Sequence, residues 1–247
     1  MVKGLDVFRD YFKSFTDQYV LIGGAACDLQ FAEVEREFRA THDLDIVLSV
    51  EAFSPEFGRA FWDFIRVGGY GISQRSDGEK QFYRFRKPQN PAFPACLELF
   101  SRRLVDLNIP SGVHLTPIPV GEDVSSLSAI LLDDDYAALI REEMQIVKGV
   151  PVVSVTGLVI LKARAWMDLR YRKRQGEHVD SKDIKKHRTD IVNLIPYMIP
   201  RTDFSEKLRA DLIAFLAEFE PELLLLQASG NKIDLNTISL LRAALNI

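Results

Sequence analysis

The stretch "IGGAACDLQFAEVEREFRATHDLDIVL", residues 22–48, governs the reading of the whole chain. Gly23 and Gly24 follow the apolar run Tyr19-Val20-Leu21-Ile22, which reads as a short strand over 18–22. A helix is predicted from about 24 to 32, then a second strand over 44–50 that carries Asp43 and Asp45 at its entrance. Residues i and i+2 of a strand point to the same face, so these two carboxylates stand side by side. Like charges at that spacing repel, and burying them unpaired is costly. The arrangement makes physical sense where something positive sits between them.

Working outward, residues 4–16 pattern as a helix with Leu5, Phe8, Phe12 and Phe15 near one face. Phe57 to Val67 reads as a helix ended by "GGYG". "QFYRFR" at 81–86 and "ACLELFSR" at 95–102 read as strands separated by the proline-rich "KPQNPAFP". Weaker strand signals fall at 113–119 and 128–132. From Asp134 the pattern turns helical, with helices predicted at 134–145, 156–173, 181–195, 205–217, 220–228 and 235–245. The fold class expected is α/β in the broad α+β sense: a mixed-sheet domain over 1–133, then a helical domain over 134–247.

The chain has 247 residues, 47% of them hydrophobic and 27% charged, the balance of an ordinary globular protein. No run approaches the roughly 18 apolar residues that span a membrane. The charged, amphipathic N-terminus is unlike a signal peptide, so no membrane association and a cytoplasmic location are expected. Cys27 and Cys96 lack metal-ligand spacing and read as small buried residues; the four histidines are equally scattered, which argues against zinc. The net charge of −4 gives no global nucleic-acid signature. Residues 162–188, however, hold ten Lys/Arg against four Asp/Glu. That asymmetry reads either as a local anion site or as a solvated helix face.

Glu98, in "CLELF", is a third carboxylate on a predicted strand, with Leu97 and Leu99 directed to the opposite face. Its alternative reading is a cross-strand partner of Arg84 or Arg86. Two or three converging carboxylates suit Mg²⁺ (or Mn²⁺), which takes hard oxygen ligands and completes its shell with water and phosphates. A strand, Gly-Gly and a helix start let backbone N–H groups approach an anion at the positive helix end.

With these elements in this order, the chain resembles the nucleotidyltransferase superfamily, whose fold is shared with DNA polymerase β. "RATHDLDI" at 39–46 is similar to the AbiEii-type branch, which reads Arg-x-Thr-x-Asp-hydrophobic-Asp. "LVILKARAWMDLR" and "DSKDIKKHRTDIVNL" resemble that branch's helical lysine, arginine-rich segment and later Lys…Asp pattern. The resemblance covers roughly residues 18–195. It implies that Asp43 and Asp45 hold the metal and Glu98 completes the catalytic site. It further implies that Gly23, Gly24, Lys162, Lys186 and Asp190 bind a nucleoside triphosphate, with Asp190 orienting a lysine or the nucleotide. Gly24 stands where the wider superfamily often has serine.

The activity implied is transfer of a nucleoside monophosphate to an acceptor hydroxyl on RNA, such as a tRNA, or on a protein, in the manner of toxins that have an antitoxin partner. Two other readings stay open: a non-catalytic nucleotide- or partner-binding module of a two-gene system, and an aminoglycoside-like small-molecule nucleotidyltransferase. A basic surface beside the aspartates favours a nucleic-acid acceptor, an acidic one a cationic small molecule.

Overall fold

The computed structural model describes residues 2–49, 54–71, 82–100, 133–231, 234 and 236–247. These fall into two compact units, one drawn from Met1–Val124 with Met144–Ser154, the other from Ser125–Glu143 with Val155–Ile247. The fold is α/β, with a mixed six-stranded sheet in the first unit and helices throughout the second. The strands predicted at 113–119 and 128–132 lie outside the described residues.

The sheet comprises β1 (Tyr19–Ile22), β2 (Asp43–Leu48), β3 (Phe82–Arg86), β4 (Cys96–Phe100), β5 (Met144–Val147) and β6 (Val150–Val153), in the order β3-β4-β2-β1-β6-β5. β1 runs antiparallel to β2 and parallel to β6, and β2 runs parallel to β4. The central strands β1 and β6 are buried at every position, the continuous apolar pattern of strands covered on both faces.

Among the described residues of this unit the helices are α1 (Leu5–Phe12), α2 (Gly23–Glu33) and α3 (Pro55–Gly68). The ends of α3 follow from its sequence. Ser54 accepts from the Phe57 N–H, Pro55 opens the first turn, and Gly69 closes the helix at φ +64°. The apolar stripes of α1 and α3 meet in an aromatic cluster, with ring centroids 5.3 Å apart for Phe12–Phe57 and 5.6 Å for Phe8–Phe64. Gln30 of α2 donates to the Val153 carbonyl at 2.9 Å, tying that helix to β6.

The hairpin β5–β6 corrects the division expected at 133/134, because Met144–Val153 belongs to the sheet. Its turn residues Lys148 and Gly149 have φ +50° and +78°, the doubly left-handed turn that matches strand twist.

The helical unit contains α4 (Asp134–Glu142), α5 (Val155–Arg174), α6 (Ser181–Leu194), a 3₁₀ turn at Ile195–Tyr197, α7 (Glu206–Ala228) and α8 (Asn236–Leu245). Where two helices were expected at 205–217 and 220–228, α7 runs unbroken with Pro221 inside it. An interior proline costs about 3 kcal/mol or more. The buried stripe Leu208, Leu212, Phe215, Leu216, Phe219 and Leu223 continues across that point, and its burial outweighs the local break. Trp166 of α5 is fully buried, edge-on to Phe215 and Phe219 at 5.8 and 5.3 Å. No helix among the described residues is long and apolar enough to cross a membrane.

One carboxylate of this unit is poorly served. Asp168 Oδ2 is buried without a hydrogen-bond partner among the described residues. Burial raises its pKa above the ordinary 3.8, against the opposing pull of Arg172 and Arg164. A raised carboxylate contributes stability that is fully present below the unfolded pKa and lost as pH rises through the folded value. Asp168→Asn removes that dependence. Melting temperatures across a pH series should therefore show the variant gaining on the wild type as pH climbs from 3.8 through the raised value, then a constant difference. A constant difference over the whole range would mean that Asp168 is not desolvated.

Candidate active site

The register Ile22↔Asp45 sets the second aspartate beside the end of β1, where α2 begins. Gly23, the first residue of α2, has φ +66°, a conformation that L side chains rarely adopt. A Cβ there would stand inside the van der Waals envelope of the Asp45 carboxylate, so Asp45 packs directly on the glycine backbone. A Cβ on Gly24 would lie 2.5 Å from Thr41 Oγ1. A side chain at Gly23 would have to displace the Asp45 carboxylate, and one at Gly24 the Thr41 hydroxyl. Sequence reasoning assigned no role to Thr41, although it lies inside "RATHDLDI".

Along β2, Asp43 is exposed, Leu44 fully buried and Asp45 half-buried, which confirms that the carboxylates share the face opposite the core. The parallel pairing with β4 aligns Asp43 with Cys96 and Asp45 with Glu98. The antiparallel pairing with β3 then aligns Cys96 with Arg86 and Glu98 with Arg84. The result is two rows across three strands, Asp43–Cys96–Arg86 and Asp45–Glu98–Arg84. Leu97 and Leu99 are fully buried on the opposite face.

Glu98 also meets its alternative partner, since Arg84 Nε lies 2.7 Å from Glu98 Oε1. Burial is the main influence on Glu98 and raises its pKa; Arg84 pulls it down, and Asp43 pushes it up again. Cys96 is buried between Asp43 and Arg86, its thiol pushed up to about 12 by burial first and then by the Asp43 and Glu98 charges. It is a neutral thiol, in keeping with its reading as a buried residue.

Ligand atoms of Asp43, Cys96 and Glu98 lie within 4.8 Å of one another. A protonated thiol is a poor ligand for a hard cation, so the carboxylates are the donors that count. Asp43 and Glu98 bring carboxylate oxygens together there, like charges that a divalent ion would relieve, whereas Asp45, on the same face, lies outside that group with its carboxylate against Gly23. That chemistry fits Mg²⁺ or Mn²⁺.

No family model matches the chain, and no curated protein matches it.

The remaining residues expected at the nucleotide lie in the helical unit. Lys162 of α5 and Asp190 of α6 form a buried ion pair at 2.8 Å, with side-chain exposures of 6% and 1%. Lys186 is exposed on α6. The lysine at 162 therefore ends on a carboxylate in the interior and does not reach out along the surface.

The basic segment 162–188 is largely internally neutralised. Arg170 and Arg174 pair with Glu218 of α7, Arg188 pairs with Glu222 at 2.6 Å, and Arg170 also reaches Glu222. Arg164 approaches Asp211 at 3.6 Å, and Arg172 pairs with Glu177 at 2.6 Å. Arg170 further stacks 4.4 Å from the Trp166 ring centre. The local charge excess is mostly an interhelical network, and α5 carries Arg170, Arg172, Lys173 and Arg174 in its last turns.

Proposed function

We propose that the chain is a metal-dependent nucleotidyltransferase that moves a nucleoside monophosphate from a nucleoside triphosphate to an acceptor hydroxyl. The observation that carries this reading is the placing of Asp43, Asp45 and Glu98 on one sheet face, with Asp43 and Glu98 close enough to share an ion and Asp45 packed against Gly23 at the start of α2. Asp43 and Asp45 would hold Mg²⁺ or Mn²⁺, with Glu98 beside them. A bound divalent ion would supply Lewis-acid polarisation of the α-phosphate and in-line alignment of the reacting groups.

The chain's own residues divide the remaining work. Gly23 and Gly24 present backbone N–H groups at the start of α2, where the helix dipole favours phosphate. A side chain at Gly23 would collide with Asp45, and one at Gly24 with Thr41. Arg84 balances Glu98 and holds it in place across the sheet. The acceptor oxygen forms a bond to the α-phosphorus, the bond to the β-phosphate bridging oxygen breaks, and pyrophosphate leaves with the electron pair. The hydroxyl proton passes to a site carboxylate and on to solvent. Lys186 is an exposed cation of the helical unit, whereas Lys162 and Asp190 neutralise each other in its interior.

Thermal shift with ATP, GTP, CTP and UTP, each with and without Mg²⁺, tests this reading. Binding to the native state adds about 2.7 kcal/mol of apparent stability at a hundredfold excess over Kd. The expected result is a magnesium-dependent shift with at least one nucleotide, absent from the folded Asp43→Asn/Asp45→Asn variant. No shift with any nucleotide would count against catalysis and in favour of a partner-binding module.

A further inference from the structure

A cavity of about 390 Å³ opens beside Asp43 on the β3–β4 side of the sheet unit. Among the described residues, Lys3, Arg86 and Lys87 line it against the carboxylate of Asp43. Phe93, Pro88 and Pro91 supply apolar wall. All three cations are exposed residues, whereas Phe93 is buried and contributes only part of its surface.

The backbone under these side chains is held from several directions. Gly4 has φ +82° and is packed so tightly on the Phe93–Pro94 backbone that any side chain would collide, which fixes the segment carrying Lys3. Lys87 itself sits at φ +55°, and its N–H donates to the Ala95 carbonyl at 3.3 Å. A non-glycine residue in that region is costly and persists only where its surroundings enforce it. The Tyr70 hydroxyl donates to the Pro94 carbonyl at 2.7 Å, and the N–H groups of Gln89 and Asn90 donate to Gly69 and Gly68. The cations are therefore presented by a braced frame.

Its size falls within the range of small-molecule sites, about 300–1,000 Å³. Its charge repels a cationic acceptor such as an aminoglycoside. An arginine flanked by two lysines suits a phosphate group, and proline and phenylalanine edges suit a flat apolar ring. We propose that this cavity receives the acceptor and that the acceptor is a phosphate ester of nucleotide size. This assignment rests on the nucleotidyl-transfer reading, because it is Asp43 at the cavity edge that links the bound acceptor to the reacting centre. The phosphate seats on Lys3, Arg86 and Lys87, and a neighbouring hydroxyl is directed toward Asp43. Two sources share that chemistry, the end of an RNA strand and a free nucleotide or sugar phosphate.

The test compares wild type with Lys3→Glu/Lys87→Glu, using a fluorescently labelled short RNA, AMP and inorganic phosphate as separate probes without triphosphate. The expected result is binding to wild type that weakens about tenfold or more in the variant, with a smaller salt dependence for the RNA. Melting temperature and the Mg²⁺-nucleotide shift should be unchanged in the variant, which shows that it is folded and that its triphosphate site is intact. RNA binding much tighter than AMP assigns a strand end; equal or tighter AMP binding assigns a free phosphate ester. Equal affinity of wild type and variant for every probe, or no binding to wild type, overturns the cavity assignment. If charge-dependent phosphate binding holds but no triphosphate shifts the wild type, the catalytic reading fails, and the acceptor assignment that rests on it is overturned with it.

Discussion

Asp190→Ala is expected to destabilise the helical unit by about 3–5 kcal/mol, because it leaves the Lys162 ammonium buried without its counter-charge. The pair is nearly sealed, with exposures of 6% and 1% and a separation of 2.8 Å, so solvent screening does little to soften the loss. Urea unfolding followed by Trp166 fluorescence in a Trp62→Phe background reports on this unit alone, since these are the only two tryptophans. A companion replacement, Lys162→Met/Asp190→Leu, removes both charges while keeping volume, and should come out between neutral and about 4 kcal/mol more stable. A cost below about 1 kcal/mol for Asp190→Ala would place the pair with exposed ion pairs and contradict its burial. If the double replacement folds stably yet loses the nucleotide shift, the pair also has a role in binding.

Gly23→Ala carries the second large effect, and it joins stability to the site. Forcing a residue with a Cβ to φ +66° costs about 1–3 kcal/mol on its own. The methyl also displaces the Asp45 carboxylate, so the magnesium-dependent nucleotide shift should vanish even in the fraction that folds. A double-mutant cycle separates the two contributions. In an Asp45→Ala background the collision is gone and only the backbone strain remains, so Gly23→Ala should cost less there than in the wild type. Equal costs in both backgrounds would mean that Asp45 does not rest on Gly23.

The parts of this site that were legible in the sequence are those governed by short-range periodicity. A period of two fixes the faces of Asp43, Leu44 and Asp45, and of Leu97, Glu98 and Leu99, with no tertiary information required. The glycine pair was legible as a strand-to-helix junction, but its reason was not. That reason is contact with Asp45 and Thr41, which only the β1–β2 pairing creates. The Glu98–Arg84 ion pair was one of two registers the residues allowed, and the β3–β4 pairing selected it.

Other features depended on partners distant in sequence. The basic excess at 162–188 looked like an anion site because Glu218 and Glu222, which neutralise much of it, come later on α7. Met144–Val153 escaped notice because Glu142 and Glu143 prolong the helical pattern and Pro151 argues against a strand. The Lys148-Gly149 turn was the available signal. Pro221 misled in the opposite sense, since local propensity is weaker than a continuous buried stripe.

The return of the chain to the sheet at Met144 has a consequence for how this protein is made and dissected. β1 is flanked by β2 on one side and by β6 on the other, yet β6 is synthesised only after α4, a helix of the other unit. Until Val153 has left the ribosome, β1 is an edge strand whose four residues are all destined for burial. A fragment truncated at 133 would keep that open, apolar edge permanently, the arrangement most prone to pairing with another chain. Neither unit is a contiguous piece of sequence, so neither can be released by a single cut. Folding of the sheet is therefore obliged to wait for a segment encoded beyond the first helix of its neighbour.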